Sequence, residues 1–213
     1  ARLLFVQEDV AHRIIPMLRG AMAELRIGDP LDYATDIGPV IDAEAREKLM
    51  AHKAQMAKQA KTILDLPLPA DCAHGTFVSP AAYELESIAS LKREVFGPVL
   101  HVVRFAGNRM AEVCAALNAT GFGLTLGLHT RIESTVNEVR SLVRVGNMYV
   151  NRNQIGAVVG AQPFGGEGLS GTGPKAGGGH YMPRFATERV CSTDTTASGG
   201  NAALMSMETV AKN

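Results

Sequence analysis

The stretch Glu94-Val95-Phe96-Gly97-Pro98-Val99-Leu100-His101-Val102-Val103-Arg104-Phe105 carries the strongest indication of the fold in this chain of 213 residues. Its second half, Val99 to Phe105, is a predominantly apolar run of the length that is typical of a buried strand. Gly97-Pro98 predicts a sharp turn directly before that strand, because glycine and proline supply the backbone angles that turns require. The stretch therefore predicts a turn that leads into a strand of the core.

Strands and helices are predicted to alternate on both sides of this strand. Upstream, the patterns indicate a strand Arg2–Gln7, a helix that opens at Glu8-Asp9 and stops at Gly28-Asp29-Pro30, a helix from Ala43 to Ala60 capped by Asp42, and a short strand Thr76-Phe77-Val78. Downstream, they indicate a helix Met110–Leu117, a strand Leu124–His129, a helix Ile132–Val143, a strand Asn147–Asn151 and strand character over Arg189–Thr196. We therefore expect an α/β fold with a mostly parallel sheet flanked by helices.

The composition favours a globular domain with one core. Hydrophobic residues make up 46% of the chain and charged residues 20%, with 21 acidic and 21 basic residues. This balance argues against disorder and against a polyanionic partner, so we expect no binding of nucleic acid. No apolar run approaches the ~18 residues of a membrane-spanning helix, and the first residues lack the pattern of a signal peptide. We therefore expect a cytoplasmic protein.

The cysteines and histidines predict neither a disulfide framework nor a metal site. Cys72, Cys114 and Cys191 are widely and irregularly spaced, so we expect each to be a buried or half-buried small hydrophobic residue. The six histidines show no spacing that is typical of metal ligands.

Three segments resemble, in order and spacing, the second half of the catalytic region of the aldehyde dehydrogenase superfamily. They are Glu94-Val95-Phe96-Gly97-Pro98, Gly146-Asn147-Met148-Tyr149-Val150-Asn151 and Gln162-Pro163-Phe164-Gly165-Gly166-Glu167-Gly168-Leu169-Ser170-Gly171. The flanking segments, Gly156-Ala157-Val158-Val159-Gly160 and Thr172-Gly173-Pro174-Lys175-Ala176-Gly177-Gly178, are most similar to L-glutamate γ-semialdehyde (1-pyrroline-5-carboxylate) dehydrogenases, in particular to the C-terminal half of the bifunctional proline utilization A family. The resemblance covers nearly the whole chain, from Ala1 to Ala203.

The resemblance implies a reaction and also a gap in the machinery. Aldehyde dehydrogenases attack the carbonyl with a cysteine thiolate, pass a hydride to NAD and hydrolyse the thioester. In the family that cysteine precedes a strand like Arg2–Gln7, so we expect the nucleophile to lie upstream of Ala1. The glutamate base, the oxyanion-hole asparagine and most of the NAD-binding half are also absent. We therefore expect no catalytic residue in this chain and no activity of the chain alone.

The expected parent enzyme is an NAD-dependent dehydrogenase that oxidises L-glutamate γ-semialdehyde to L-glutamate in proline catabolism. The chain would be its C-terminal fragment, and the missing N-terminal half would be its partner. The resemblance leaves open whether a proline dehydrogenase domain with FAD precedes it and whether NADP is also accepted.

Glu94 and Phe96 are the expected cofactor-binding residues. By resemblance, the Glu94 carboxylate accepts hydrogen bonds from both hydroxyls of a ribose, and the Phe96 ring limits how the nicotinamide can lie. Gly97-Pro98 would leave both side chains facing the cleft.

Gly156, Ala157 and Phe164 are the expected substrate-binding residues. Backbone N–H groups of a glycine-containing loop can close on an anion, because little side chain stands in the way. By resemblance to the aldehyde anchor loop, Gly156 and Ala157 hold the α-carboxylate of the semialdehyde, and Phe164 presses on its methylene chain. The residues alone leave open a plain turn at Gly156 and ordinary core packing at Phe164. We expect the glycine-rich segment from Gly156 to Gly179 to be ordered.

The sequence Gly166-Glu167-Gly168-Leu169-Ser170-Gly171 matches the G-x-G-x-x-G dinucleotide fingerprint by its letters. The fingerprint binds a pyrophosphate only when a strand precedes it and a helix begins within it. Pro163 upstream and Gly171-Thr172-Gly173-Pro174 downstream argue against both, so we do not expect phosphate binding here.

The domain prediction is a partial catalytic domain over residues 1–186 and a C-terminal oligomerisation strand and tail over residues 187–213. By resemblance, the strand near Thr187 to Thr195 pairs with another subunit, so we expect a homo-oligomer. Two other functions remain open at this point. One is an aldehyde dehydrogenase of other specificity, and the other is a noncatalytic interaction module on the same scaffold.

Overall fold

A four-stranded sheet lies at the centre of the fold, in a computed structural model that describes residues 2–154 and 156–194. The sheet and its helices comprise β1 (Leu3–Gln7), α1 (Glu8–Ala23), α2 (Ala43–Gln59), β2 (Lys61–Asp65), β3 (Ala81–Leu85) and β4 (Val99–Phe105). The strand order is β1-β4-β3-β2. β1 and β3 run parallel to β4, and β2 is an antiparallel edge strand beside β3. The strand predicted after the Gly97-Pro98 turn is therefore an inner strand of the sheet.

The two faces of the sheet are covered by different helices. Side chains alternate along a strand, so neighbouring residues of β4 point to opposite faces. Val102 belongs to a buried cluster with Ala11 of α1, whereas Val103 belongs to a cluster with Met56 of α2. Each helix thus buries its apolar side against one face, which confirms the predicted sheet flanked by helices.

A second set of elements follows β4 along the chain. It comprises α3 (Met110–Ala119), β5 (Phe122–Gly123), β6 (Thr125–Leu128), α4 (Glu133–Leu142), β7 (Asn147–Val150) and β8 (Glu167–Gly168). β6 and β7 form a parallel pair, β5 and β8 form an antiparallel pair, and α3 contacts α4. Three of the five strand pairs described are parallel, so the mostly parallel arrangement is confirmed.

The end of the first helix was predicted wrongly. α1 ends at Ala23, before Gly28-Asp29-Pro30. The residues after Ala23 enter a turn in which aspartate side chains accept from two of the backbone N–H groups. Arg26 N–H donates to Asp36 Oδ2 at 2.9 Å, and Leu31 N–H donates to Asp29 Oδ1 at 2.9 Å. These bonds offer the backbone an alternative to the helix, and the sequence pattern did not reveal them.

The short strand predicted over Thr76-Phe77-Val78 is also wrong. Val78 is buried, but the strand begins only at Ala81, after Pro80. Proline lacks the N–H that a ladder requires, so pairing starts beyond it. The edge strand β2 was missed because its side chains are mostly half-buried or exposed and carry little apolar signal.

The described part of the predicted C-terminal strand, residues 187–194, does not form a strand. Residues 187–194 are exposed and belong to no strand of the described structure, and the rest of the predicted segment, Thr195 and Thr196, lies outside the described residues. Cys191 lies in this exposed part, which corrects the expectation that all three cysteines are at least half-buried; Cys72 and Cys114 are buried as predicted. Pairing with another subunit stays a prediction.

Within residues 2–154 and 156–194, no helix is long and apolar enough to cross a membrane.

Candidate active site

Glu94 and Phe96 lie together around the side chain of Arg2, at the turn that precedes β4. Arg2 Nη1 donates to Glu94 Oε1 at 2.5 Å, and the two side chains are 41% and 44% exposed. The Arg2 Cζ atom lies 4.2 Å from the centre of the Phe96 ring, in the geometry of a cation–π contact. Glu94 Oε2 makes no hydrogen bond with another described residue, so it keeps its acceptor capacity toward a ligand.

The turn that carries these residues is packed directly on α2. A Cβ atom on Gly97 would lie 2.5 Å from Leu49 Cδ1, so any larger residue here would force the buried Leu49 side chain to shift. Leu49 is itself buried in the cluster that includes Val103 of β4. The Glu94 turn is therefore positioned by the core as well as by its contacts with Arg2.

Arg2 is held against β4 by His101. The His101 N–H donates to the Arg2 carbonyl oxygen at 3.0 Å, and His101 Nδ1 lies 3.1 Å from the same oxygen. Because a carbonyl only accepts, the network assigns the proton to Nδ1, and the neutral ring then accepts at Nε2 from His52 Nε2 at 2.8 Å. Burial lowers the pKa of His101. Burial, followed by the charges of His101 and Arg93, lowers the pKa of His52.

Phe164 is fixed from both sides by the backbone around it. Asn147, the first residue of β7, donates from Nδ2 to the Pro163 carbonyl at 3.0 Å and accepts at Oδ1 from the Gly165 N–H at 3.2 Å. Phe164 also exchanges two backbone hydrogen bonds with Ala176, at 3.0 and 2.9 Å. The half-buried Phe164 ring thus sits in an ordered loop, as predicted.

Gly156 lies at the other end of the same loop, and a second residue of β7 reaches it. The Tyr149 hydroxyl donates to the Gly156 carbonyl at 2.8 Å. Gly156 has a φ of +135°, in the region that favours glycine, and the following Ala157 is exposed. An open cavity of about 370 Å³ lies nearby, and its lining includes Tyr149, Arg152 and Gln162.

The fingerprint-like segment makes close backbone contacts. Gly168 has a φ of +60°, and a Cβ atom on it would lie 2.5 Å from the Gly121 carbonyl oxygen. A Cβ atom on Gly171 would lie 2.4 Å from the Gly166 carbonyl oxygen. No α-helix begins within or after this segment up to residue 194, so the described chain presents no helix N-terminus here to a pyrophosphate. Its glycines therefore allow neighbouring backbone segments to approach each other closely.

The thiols of Cys72 and Cys114 have the character of structural residues. Desolvation raises the pKa of Cys114, and desolvation together with the charge of Asp71 raises the pKa of Cys72. Thiols of this kind are poor nucleophiles, because the thiolate is the reactive form. Among the residues that the structure describes, no group of three or more histidine, cysteine or acidic side chains is placed to hold a metal ion.

The five predicted site residues fall into two groups. Glu94 and Phe96 share the Arg2 side chain, whereas Gly156, Ala157 and Phe164 share the loop that follows β7. In the described part of the chain, no hydrogen bond, ion pair or ring contact joins one group to the other. Their convergence on a single pocket stays a prediction.

The residues that support both groups were not predicted from the sequence. Asn147 and Tyr149 belong to a segment that was singled out for its resemblance, but no pattern assigned them a contact with the loop. Arg2 was treated only as the start of a strand. A polar residue at the start of a strand and a tyrosine two positions later were the available signals, and both are common in strands.

The fold is that of an aldehyde dehydrogenase. The chain belongs to the aldehyde dehydrogenase family, whose model matches residues 1–190. The bifunctional protein PutA of Klebsiella aerogenes is 52% identical over 193 residues, which cover 88% of this chain and 15% of that protein. The 1-pyrroline-5-carboxylate dehydrogenase of Geobacillus kaustophilus is 36% identical over 180 residues, which cover 83% of this chain and 34% of that protein.

Solved structures of relatives have the same fold as this chain. Bifunctional proline utilization A superimposes with a TM-score of 0.86 at 55% identity, over 93% of this chain and 20% of that one. A 1-pyrroline-5-carboxylate dehydrogenase from Thermus with bound NAD superimposes with a TM-score of 0.77 at 31% identity, over 87% of this chain and 35% of that one. The chain thus spans a minor part of each relative.

Proposed function

We propose that this chain is part of an NAD-dependent dehydrogenase that oxidises L-glutamate γ-semialdehyde to L-glutamate in proline catabolism, in the cytoplasm. The names of the relatives support the substrate, and NAD bound in the Thermus relative supports the cofactor. The chain supplies contacts to both, whereas the nucleophilic cysteine belongs upstream of Ala1.

The contact of Arg2 with Glu94 and Phe96 carries this proposal. Arg2 precedes β1, which pairs in parallel with β4, and its side chain reaches the turn at the start of β4. A chain extends by at most about 3.6 Å per residue. A nucleophile a few residues upstream of Arg2 therefore enters the structure close to Glu94 and Phe96, which are the expected cofactor contacts.

The residues present fit the nicotinamide cofactor. The Glu94 carboxylate is partly exposed and keeps one oxygen for a ribose hydroxyl, and the 76% exposed Phe96 ring offers an apolar surface to a planar ring. When bound, NAD accepts the hydride that the oxidation removes. Glu94 and Phe96 hold and orient the cofactor, and the ion pair with Arg2 holds the Glu94 carboxylate in place.

The substrate residues fit an aldehyde with a charged end. In the described chain, neither the Gly156 N–H nor the Ala157 N–H donates a hydrogen bond, so both are available to a carboxylate. Phe164 is half-buried in the same loop and supplies an apolar wall for methylene groups. Such a site favours a semialdehyde with a carboxylate over a simple aliphatic aldehyde.

Steady-state kinetics of the complete enzyme test the proposal. With NAD, kcat/KM for L-glutamate γ-semialdehyde should exceed that for propanal by at least about 100-fold, because propanal leaves the two N–H groups unpaired. Phe164→Ala should raise KM for the semialdehyde roughly tenfold, the size expected when a buried aromatic contact is lost. Phe185→Ala removes a 72% exposed ring of the same kind and serves as the matched control.

Two outcomes would contradict the proposal in different ways. Equal kcat/KM for both aldehydes would indicate an aldehyde dehydrogenase of other specificity. Absence of NAD reduction with either aldehyde, in a complete protein without a cysteine just upstream of Ala1, would indicate a noncatalytic module.

The partners of the complete protein form a further part of the proposal. The PutA relatives are bifunctional and far longer than this chain, which supports an upstream proline dehydrogenase domain with FAD. The exposed residues 187–194 support a strand that pairs with another subunit, since unpaired backbone is a template for such pairing. Deletion of the residues after Phe185 should lower the oligomer mass of the complete enzyme in light scattering, and an unchanged mass would remove this role.

A further inference from the structure

The side chain of Tyr149 makes an unusual connection between β7 and the loop that follows it. The residue is only 7% exposed, and its hydroxyl donates to the Gly156 carbonyl at 2.8 Å. A buried tyrosine hydroxyl needs a partner, and here that partner is a backbone atom of the loop expected to bind substrate. The hydrogen bond therefore fixes the direction of one peptide carbonyl in the loop.

That carbonyl belongs to the peptide unit that carries the Ala157 N–H. The unit is planar and trans, so its C=O and N–H point in opposite directions. Fixing the Gly156 oxygen toward Tyr149 aims the Ala157 N–H away from Tyr149. Ala157 is exposed, and its N–H has no acceptor among the described residues.

The Arg152 side chain lies beside both the Tyr149 ring and Gly156. Its Cζ atom lies 5.0 Å from the centre of the Tyr149 ring, and its Nη1 donates to Gln162 Oε1 at 3.3 Å. A Cβ atom on Gly156 would lie 3.4 Å from Arg152 Nη2, which is ordinary contact. Gln162 in turn exchanges backbone hydrogen bonds with Val158, at 3.0 and 2.6 Å. The half-buried Gly156 thus lies beside one aromatic and one cationic side chain.

We propose that Tyr149 and Arg152 are positioning residues that orient the Gly156–Ala157 peptide so that its N–H meets the carboxylate of the substrate. This inference rests on the proposed function and adds the residues that set its selectivity for a charged aldehyde. Neither side chain needs to touch the aldehyde carbon, so their effect is on binding of the carboxylate and not on hydride transfer.

The test uses the complete enzyme with Tyr149→Phe, which removes one hydroxyl and keeps the ring. KM for L-glutamate γ-semialdehyde should rise about fivefold to tenfold, the ratio expected when one hydrogen bond that orders a binding group is lost. Values of kcat, KM for NAD and KM for propanal should change less than twofold, since propanal has no carboxylate. Calorimetric titration with L-glutamate in the absence of NAD should show the same loss of affinity.

Tyr181→Phe is the matched control. The Tyr181 ring packs edge-on against Phe185 with centroids 5.4 Å apart, away from Gly156 in the chain, so this variant should retain the unsubstituted KM for both aldehydes. Equal increases in KM for the semialdehyde and propanal in Tyr149→Phe would indicate general disorder of the loop and would overturn the inference. An unchanged KM for the semialdehyde would overturn it as well.

The Arg152 variant separates positioning from direct contact. Arg152→Met keeps an unbranched apolar stem against the Tyr149 ring and removes the charge, so it should raise KM for the semialdehyde about twofold. A loss larger than that of Tyr149→Phe would assign the effect to the charge of Arg152 on the substrate and would contradict orientation through Tyr149.

The unsubstituted enzyme distinguishes this inference from the function on which it rests. If it does not prefer the semialdehyde to propanal, the proposed function fails and the inference fails with it. If it prefers the semialdehyde and Tyr149→Phe retains that preference, the function stands and only the orienting role is refuted.

Discussion

The region from β1 to β4 and the region from β5 to β8 are held together by different means. The first region contains both large hydrophobic clusters, one on each face of its sheet. In the second region, strands are two to four residues long, and the loop is joined to β7 by hydrogen bonds from Asn147 and Tyr149. Burial therefore dominates the first region, and backbone hydrogen bonding and close approach dominate the second.

Three polar residues of the first region, Lys53, Ser79 and His101, are also buried. Lys53 of α2 is 6% exposed, and its Nζ donates to the Ser79 carbonyl at 2.9 Å and to Ser79 Oγ at 2.8 Å. The same Nζ lies 2.8 Å from Asp65 Oδ1 at the end of β2. A buried ammonium is tolerated only when it is paired and hydrogen-bonded in this way.

The two regions hold the expected site residues by different kinds of contact. The expected cofactor residues extend from the well-packed region, where Gly97 contacts Leu49. The expected substrate residues lie on the glycine-rich loop, whose shape depends on a few named hydrogen bonds. Substrate selectivity can thus change through the loop without loss of the cofactor support.

The largest effect is expected for Met56→Ala. Met56 is 1% exposed in the cluster beneath β3 and β4, so truncation should lower the free energy of unfolding by about 3 kcal/mol through lost burial and a residual cavity. Urea unfolding of the chain followed by circular dichroism measures the change. Met17→Ala, at a position that is 68% exposed on α1, should change it by less than about 0.5 kcal/mol. Similar losses in both variants would show that burial does not dominate this region.

A somewhat smaller effect, localised in the second region, is expected for Gly146→Ala. The new Cβ atom would lie 1.9 Å from the Gly165 carbonyl oxygen, so the loop must move, at a cost of about 2 kcal/mol. Hydrogen exchange should accelerate in residues 146–178 and stay unchanged in β1 and β4. Gly20→Ala in α1 meets no atom within 4 Å and should instead stabilise the chain by up to about 1 kcal/mol. Uniform acceleration across both regions would refute the division between them.

The smallest effect is the pH dependence of the first region through His52 and His101. Both histidine pKa values are lowered in the folded chain. Below about pH 6.5, the ordinary pKa of histidine, the unfolded chain therefore binds more protons than the folded chain. The free energy of unfolding should be constant above pH 6.5 and should fall as the pH decreases from 6.5 through the lowered pKa values. The loss is limited because the partly exposed His52 can turn toward water.

Urea midpoints measured between pH 5 and pH 8 test this dependence. His101→Gln should flatten the curve of unfolding free energy against pH. It removes one titrating imidazole, and it also removes the charge of His101 that helps to lower the pKa of His52. His74→Gln, at an exposed position, should leave the curve unchanged. A curve in His101→Gln that is as steep as that of the unsubstituted chain would assign the pH dependence to other groups.

Much of the fold could be predicted from periodicity and turn residues. The strand at Val99–Phe105 and the helix capped by Asp42 were predicted to within one residue, because apolar spacing and capping are local signals. The edge strand Lys61–Asp65 could not be predicted, because its sequence carries little apolar signal and the strand is stabilised by its pairing with β3. The early end of α1 depends on aspartates that follow it in the turn.

The candidate site was predictable to a smaller extent. The resemblance placed Glu94, Phe96 and the glycine-rich loop in the site but assigned no role to Arg2, which lies 92 positions before Glu94 in the sequence. Such a pair leaves no trace in local spacing. The hydrogen bond from Tyr149 to Gly156 was equally hidden, because the position of a tyrosine in a strand does not show which acceptor its hydroxyl reaches.

The sequence by itself determined the family, the inner strand β4, the pair β6 and β7, and the helices α2, α3 and α4, because these depend on residue type and short-range spacing. Only the tertiary structure decided which side chains support those segments. Contacts such as His101 with Arg2 and Tyr149 with Gly156 form when packing brings different elements together. The physical reason is that a hydrogen bond across the fold requires a position and a direction, which a linear pattern does not contain.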